Sequence, residues 1–232
     1  MKSLSKNISL LLALVFALGM QAQTKKEKTV QAKGGTIGMY NSSQNKDAVE
    51  FFDKGEGFSK TRDFKGSVKW YKKAIDKDPK FVEAYDNLGV AYRNMGDFDN
   101  AKKCYNKSIE LFPDGPMAHQ NLGLLYSIEK NYDKAIEQYK ELQRIDSTDA
   151  EGFYGTVQIY LNQNKYDDAI KSAAKTLEIY EATKSPYLSD GQYLLGLSYY
   201  YKGDKKNAST YLKQAKNSGV KVPKSICDEL GI

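Results

Sequence analysis

The chain has 232 residues, a formal net charge of +6 and 41% hydrophobic residues, enough for one ordinary domain or one repeat array with a core. One His and two Cys leave little material for metal or nucleophile chemistry. The basic charge is too mild and too scattered for a nucleic-acid binder, so no nucleic acid is expected as a partner.

In chain order, Lys2 and Lys6 precede an unbroken apolar run, "ISLLLALVFAL" at 8–18, followed by "GMQAQ" and the polar "TKKEK". This three-part pattern predicts a secretory signal peptide over 1–22, with cleavage after Ala22. Eleven apolar residues fall short of the roughly 20 that cross a bilayer. An uncleaved anchor is the alternative. The expectation is an exported chain in a bacterial periplasm, with membrane contact at most peripheral. Removing Lys2 and Lys6 lowers the formal charge from +6 to +4. Residues 23–47 are polar, contain glycine and have no sustained period, so they read as a flexible leader. The "GGTIG" within them lacks the Gly-Lys-Ser/Thr ending of a phosphate loop, and no cofactor is expected.

From Ala48 a 34-residue period takes over. Gly55, Gly89 and Gly123 keep this distance and lead to Val157. Phe58, Tyr92, Tyr126 and Tyr160 keep it too, as do Ser67, Ala101, Ala135 and Ala169, and Tyr71, Tyr105 and Tyr139. After Ile179 the step lengthens by five residues around "EATKSPYLS", then resumes at Leu195, Gly196, Tyr199, Gly203 and Ala208. Five units result, at 48–81, 82–115, 116–149, 150–188 and 189–219, with a short capping segment at 220–232.

Each unit reads as two helices. Tyr85, Leu88, Tyr92 and Met95 form one amphipathic stripe, and Phe98, Ala101, Tyr105 and Ile109 a second. Between them Gly96 suits a left-handed helix end and Asp97 an N-cap. Gly89 and Ala101 let the two backbones approach closely. A lone hairpin cannot cover both its apolar faces, so the unit must be stacked. The fourth unit has Thr156 and Val157 in place of Leu-Gly, which predicts a splayed hairpin. The insertion before the fifth either lengthens a helix or adds a loop. Pro223 starts a last short helix, with Ile226 and Leu230 covering the final open face. Cys104 and Cys227 lie three repeats apart and are expected as unbridged, packed thiols.

The second unit, with Tyr85, Leu88, Gly89, Tyr92, Ala101, Tyr105, Ser108 and Pro113, resembles the tetratricopeptide (TPR) repeat. The third repeats it with His119, Leu122, Gly123, Tyr126, Ala135 and Tyr139, although Ser147 stands in place of the proline. The resemblance covers about 48–219. It implies an all-α, right-handed superhelical solenoid of about five helix-turn-helix TPR units. In that family the first helices line a concave groove that binds an extended peptide or a helix.

Carried onto this chain, the groove takes Phe52, Asp53 and Glu56 from the first unit, and Asp86, Asn87, Val90, Arg93 and Asn94 from the second. The third gives Gln120, Asn121 and Leu124, the fourth Tyr154 and Gln158, and the fifth Tyr193, Leu197 and Tyr200. Asn87 and Asn121 have two readings: amides gripping a peptide backbone, or residues of the family consensus. The tyrosines are either interface anchors or packing between neighbouring helices. Phe52 stands where a carboxylate clamp of the family would need a lysine, so no such clamp is expected. Glu83, Asp86, Glu151 and Asp190 against Lys60 and Arg93 favour neutral or basic segments.

Lysines crowd the second helices, among them Lys72, Lys73, Lys102, Lys103, Lys171 and Lys175. They form a solvated face or a contact for anionic lipid or cell-wall polymer. His119 stands where other units place Phe51, Tyr85 and Phe153, a packing position. No catalytic residues, metal ligands or cofactor site are identified. The expected function is a non-enzymatic protein–protein interaction scaffold of the cell envelope. The alternatives are a glycan or small-ligand carrier with a Tyr-rich groove, and an array that self-associates through the Ile226/Leu230 end. Neither partner identity nor oligomeric state follows from the sequence.

Overall fold

A computed structural model describes residues 43–232, which contain eleven α-helices and no strand. The expected signal peptide and residues 23–42 of the expected leader lie outside the described residues. The chain divides into two compact units, split between Ile145 and Asp146.

The N-terminal unit holds α1 (Lys46–Lys60), α2 (Phe64–Lys77), α3 (Val82–Asn94), α4 (Phe98–Leu111), α5 (Pro116–Ile128) and α6 (Tyr132–Ile145). Each packs against the next. The C-terminal unit holds α7 (Glu151–Asn162), α8 (Tyr166–Ala182), α9 (Leu188–Lys202), α10 (Lys205–Asn217) and α11 (Lys224–Leu230), again packed in sequence. Asn45 caps α1, its Oδ1 accepting from Asp47 N at 3.0 Å and Ala48 N at 3.2 Å. Lys46 and Asp47, assigned to the leader by the sequence, are therefore helical.

One hairpin turn recurs. Arg62, Gly96, Lys130, Asn164 and Gly203 all have left-handed φ, between 58° and 88°. The next amide then reaches back to the helix just ended: Asp63 N to Phe58 O at 3.0 Å, Asp97 N to Tyr92 O at 2.9 Å, Asn131 N to Tyr126 O at 2.8 Å. Lys165 and Asp204 do the same. These bonds satisfy carbonyls that a helix end would leave open. Asp63, Asp97 and Asp204 also cap the following helix. A left-handed residue other than glycine costs roughly 1–2 kcal/mol, partly offset because glycine loses more entropy on folding. Lys130→Gly is therefore expected to raise the thermal midpoint by about 1–3 °C. A lowered midpoint would show that the Lys130 side chain holds the turn.

The hairpins close on small residues. Ser67, Ala101, Ala135, Ala169 and Ala208 are fully buried. A Cβ on Gly89 would lie 2.5 Å from Cε1 of Tyr105, and one on Gly55 the same distance from Cε1 of Tyr71. In the fourth repeat Val157 takes the glycine's place, and Ala173 the place of the facing tyrosine; both are fully buried in one cluster. The extra bulk of one is matched by the lost bulk of the other, so this hairpin is closed rather than splayed. The insertion lengthens α8 to 17 residues, against 14 in α6. Ile226 of α11 is buried with Leu212 and Ala215, and Leu230 packs partly buried against them. Cys104 and Cys227 are buried free thiols.

Candidate functional site

The first helix of each repeat should present the binding face, and burial sorts its residues. In the N-terminal unit Asp86 is 1% exposed, and Asn121 and Leu124 are each 6% exposed. These three are packing residues, because α3 and α5 are each flanked by helices on both sides. Phe52 also turns inward, with ring centroids 5.0 Å from Phe81 and 5.5 Å from Tyr71. Asn87, Val90, Arg93 and Gln120 are half-buried and reach the surface, while Asp53 and Asn94 are exposed.

The asparagines are engaged by their own helices. Asn87 Nδ2 donates to Glu83 O at 3.0 Å, Asn94 Nδ2 to Val90 O at 2.9 Å and Asn121 Nδ2 to Met117 O at 2.9 Å. Part of each amide's capacity is thus spent one turn back.

In the C-terminal unit Tyr193 and Leu197 are 4% and 1% exposed, in the core cluster formed with Leu177, Leu194 and Leu212. They are core residues rather than groove residues, because α9 packs against α8 and α10. Burial pushes the Tyr193 hydroxyl up to about 12. Tyr154 and Gln158 remain half-buried at the surface. Tyr200 donates to Glu229 Oε2 of α11 at 2.6 Å, which ties the terminal helix to α9. Tyr166 stacks on Tyr201 and Tyr199 on Tyr211, so several tyrosines of the "YYYK" run fill helix contacts.

Carboxylates gather in the N-terminal unit. Glu83 is half-buried on α3, and its carboxyl is raised by burial and then by the like charge of Glu56 on α1. Asp86, three residues on, is raised to about 7, first by burial and then by Glu83. The neighbouring Ser108 hydroxyl of α4 opposes that rise, although it lies outside hydrogen-bond geometry with either Asp86 oxygen. Nearby burial also pushes the Cys104 thiol up to about 12, which makes it a poor nucleophile.

The lysine face is paired only in part: Lys102 pairs with Glu129 at 2.6 Å and Lys175 with Glu178 at 2.7 Å. Outside that face, Lys202 at the end of α9 pairs with Asp167 at 2.5 Å. Lysines of α1 and α2 surround a ring on α2. The ammonium of Lys73 lies 4.4 Å from the Trp70 centroid, with that of Lys54 at 4.9 Å and Lys69 at 5.9 Å. The sequence reading did not single out this cluster, although "KWYKK" at 69–73 signals it. His119 bridges Gln138 Oε1 and the Pro113 carbonyl, each at 2.8 Å, a packing arrangement. Among the described residues no cluster of metal-ligating side chains occurs, and no helix is long and apolar enough to cross a membrane.

Three family models match the chain: tetratricopeptide repeat over residues 81–147, TPR repeat over 63–96, and tetratricopeptide repeat over 190–218. No curated protein sequence matches it. Solved structures do. A crystal structure of MamA protein is 25% identical, with TM-score 0.64, covering 76% of this chain and 98% of that one. MamA from Desulfovibrio magneticus RS-1 is 18% identical, with TM-score 0.66, over 75% of this chain and 96% of that one. PilF of Pseudomonas aeruginosa is 16% identical, with TM-score 0.66, over 76% and 78%. The recurring hairpin turn, the glycine-to-ring closures and these matches agree, and the chain is a tetratricopeptide-repeat protein.

Proposed function

We propose that the chain is a non-enzymatic adaptor of the cell envelope that holds a partner peptide or helix on the first-helix face of its repeats. The repeat fold supports a protein-interaction role. The observation that supports the finer reading is the set of half-buried polar and apolar groups on the first helices of each unit taken by itself: Asn87, Val90, Arg93 and Gln120 in the N-terminal unit, and Tyr154 and Gln158 in the C-terminal unit. Such a preformed face lowers the ordering cost of binding. The three-part N-terminal pattern supports export to the periplasm.

Affinity capture from an envelope extract tests it, with residues 23–232 as bait beside a Val90→Ala/Arg93→Ala/Gln120→Ala variant of equal helicity. A partner retained by the first and reduced at least tenfold by the second is the expected result. Equal capture by both would remove the first-helix face from the function. A signal-peptide fusion found uncleaved in the cytosol would remove the location.

A further inference from the structure

We propose that the face shared by α1 and α3 receives a basic segment of the partner protein, with Glu56 and Glu83 taking up an Arg or Lys side chain. This rests on the docking face proposed above and names its chemistry. Phe52, one turn before Glu56 on α1, packs its ring on Phe81, two residues before Glu83, at 5.0 Å between centroids, which brings the two glutamates to the same side. Glu83 is half-buried and has no ion pair among the described residues, and the like charge of Glu56 acts on it. The cation near Glu56 is Lys60, one turn on along the same helix at 3.7 Å and mostly exposed. Asp86 lies on the same face of α3 as Glu83, three residues on. It is nine-tenths buried or more, and both its oxygens lack a partner. The Tyr71 hydroxyl, which feels the charge of Glu56, is buried and also lacks one.

Glu56 and Glu83 run against the composition of a chain with net charge +6. Like charges held together in a half-desolvated place are unfavourable when empty and favourable once a cation arrives. A guanidinium suits the place best, because its planar fork of donors can bridge two carboxylates. Asn87 and Val90, beside Glu83 on α3, offer an amide and an apolar contact to the rest of the segment.

The test uses the full chain and three labelled octapeptides, alternating Arg-Gly, Ser-Gly and Glu-Gly, followed by fluorescence anisotropy. The Arg-Gly peptide is expected to bind at least tenfold more tightly than Ser-Gly, and Glu-Gly not measurably. Glu56→Gln/Glu83→Gln should remove at least tenfold of the Arg-Gly affinity. Asp133→Asn/Glu137→Gln, which removes the same charge from α6, should change it less than twofold. Equal losses in the two variants, or no preference for Arg-Gly, overturn the proposal. A captured partner that is lost with the Val90/Arg93/Gln120 variant but kept by Glu56→Gln/Glu83→Gln would preserve the docking face and remove its basic partner. Both glutamates are surface-reaching and glutamine is isosteric, so unchanged helicity and an unchanged or higher melting temperature confirm that the variant folds.

Discussion

Replacing Asp86 with Asn should make the protein markedly more stable at pH 8 and change it little at pH 4. The carboxyl is 1% exposed with no hydrogen-bond partner, and it titrates near 7 in the fold. In the unfolded chain it titrates near ~3.9. Below about pH 4 it is protonated in both states, and its burial then carries no ionic penalty. As pH rises from about 4 to about 7 the unfolded chain gives up the proton and the folded chain keeps it, so stability falls throughout that window. Three pH units correspond to about 4 kcal/mol, or roughly 10 °C of melting temperature. This is the reverse of a salt-bridged aspartate, such as Asp167 beside Lys202, whose contribution is lost on acidification. Thermal melts of both proteins from pH 4 to 8 measure the effect. Parallel pH profiles for wild type and Asp86→Asn would show that Asp86 finds a partner in solution.

The second large effect concerns the contact of Gly89 with Tyr105. Tyr105 is fully buried, and its ring edge lies 2.5 Å from where a Gly89 Cβ would be. Tyr105→Ala should cost about 3–5 kcal/mol through the cavity it leaves. Gly89→Ala alone should cost about 1–3 kcal/mol, because the ring cannot retreat into a closed core. In the Tyr105→Ala background the same change should become neutral or stabilising, since the methyl meets open space and alanine favours a helix by about 1 kcal/mol over glycine. The fourth repeat already contains this exchange in Val157 and Ala173. Chemical denaturation of the four proteins in a double-mutant cycle measures the coupling, and additive costs would refute the account.

The period made the fold readable because each repeat solves the same packing problem with the same residues. Gly89, Ala101 and Tyr105 occupy matching places in successive units, and a helix hairpin is the structure in which those places meet. The splayed fourth hairpin was a misreading of one half of a pair: Val157 was weighed without Ala173, its partner sixteen residues later. The binding face was less legible. A spacing rule says which way a side chain leaves its own helix but not what the neighbouring helix covers. Asp86, Asn121, Leu124, Tyr193 and Leu197 leave the right face and are covered all the same. Asn87 and Gln120 stand on the same helices as some of these and stay within reach of solvent.

The ring of lysines around Trp70 gives the protein a built-in local reporter. Trp70 is the chain's single tryptophan, and it sits in the first of the described hairpins, with Phe51 at 5.6 Å and an ammonium 4.4 Å from its centroid. Its emission therefore follows the opening of that hairpin, whereas circular dichroism averages over every helix. In a chain of repeats that hold only their neighbours, the two signals need not move together. Denaturation curves that coincide would mean the hairpins melt as one body. Curves that part would show the order in which the array comes undone, read from one end by a chromophore already in place.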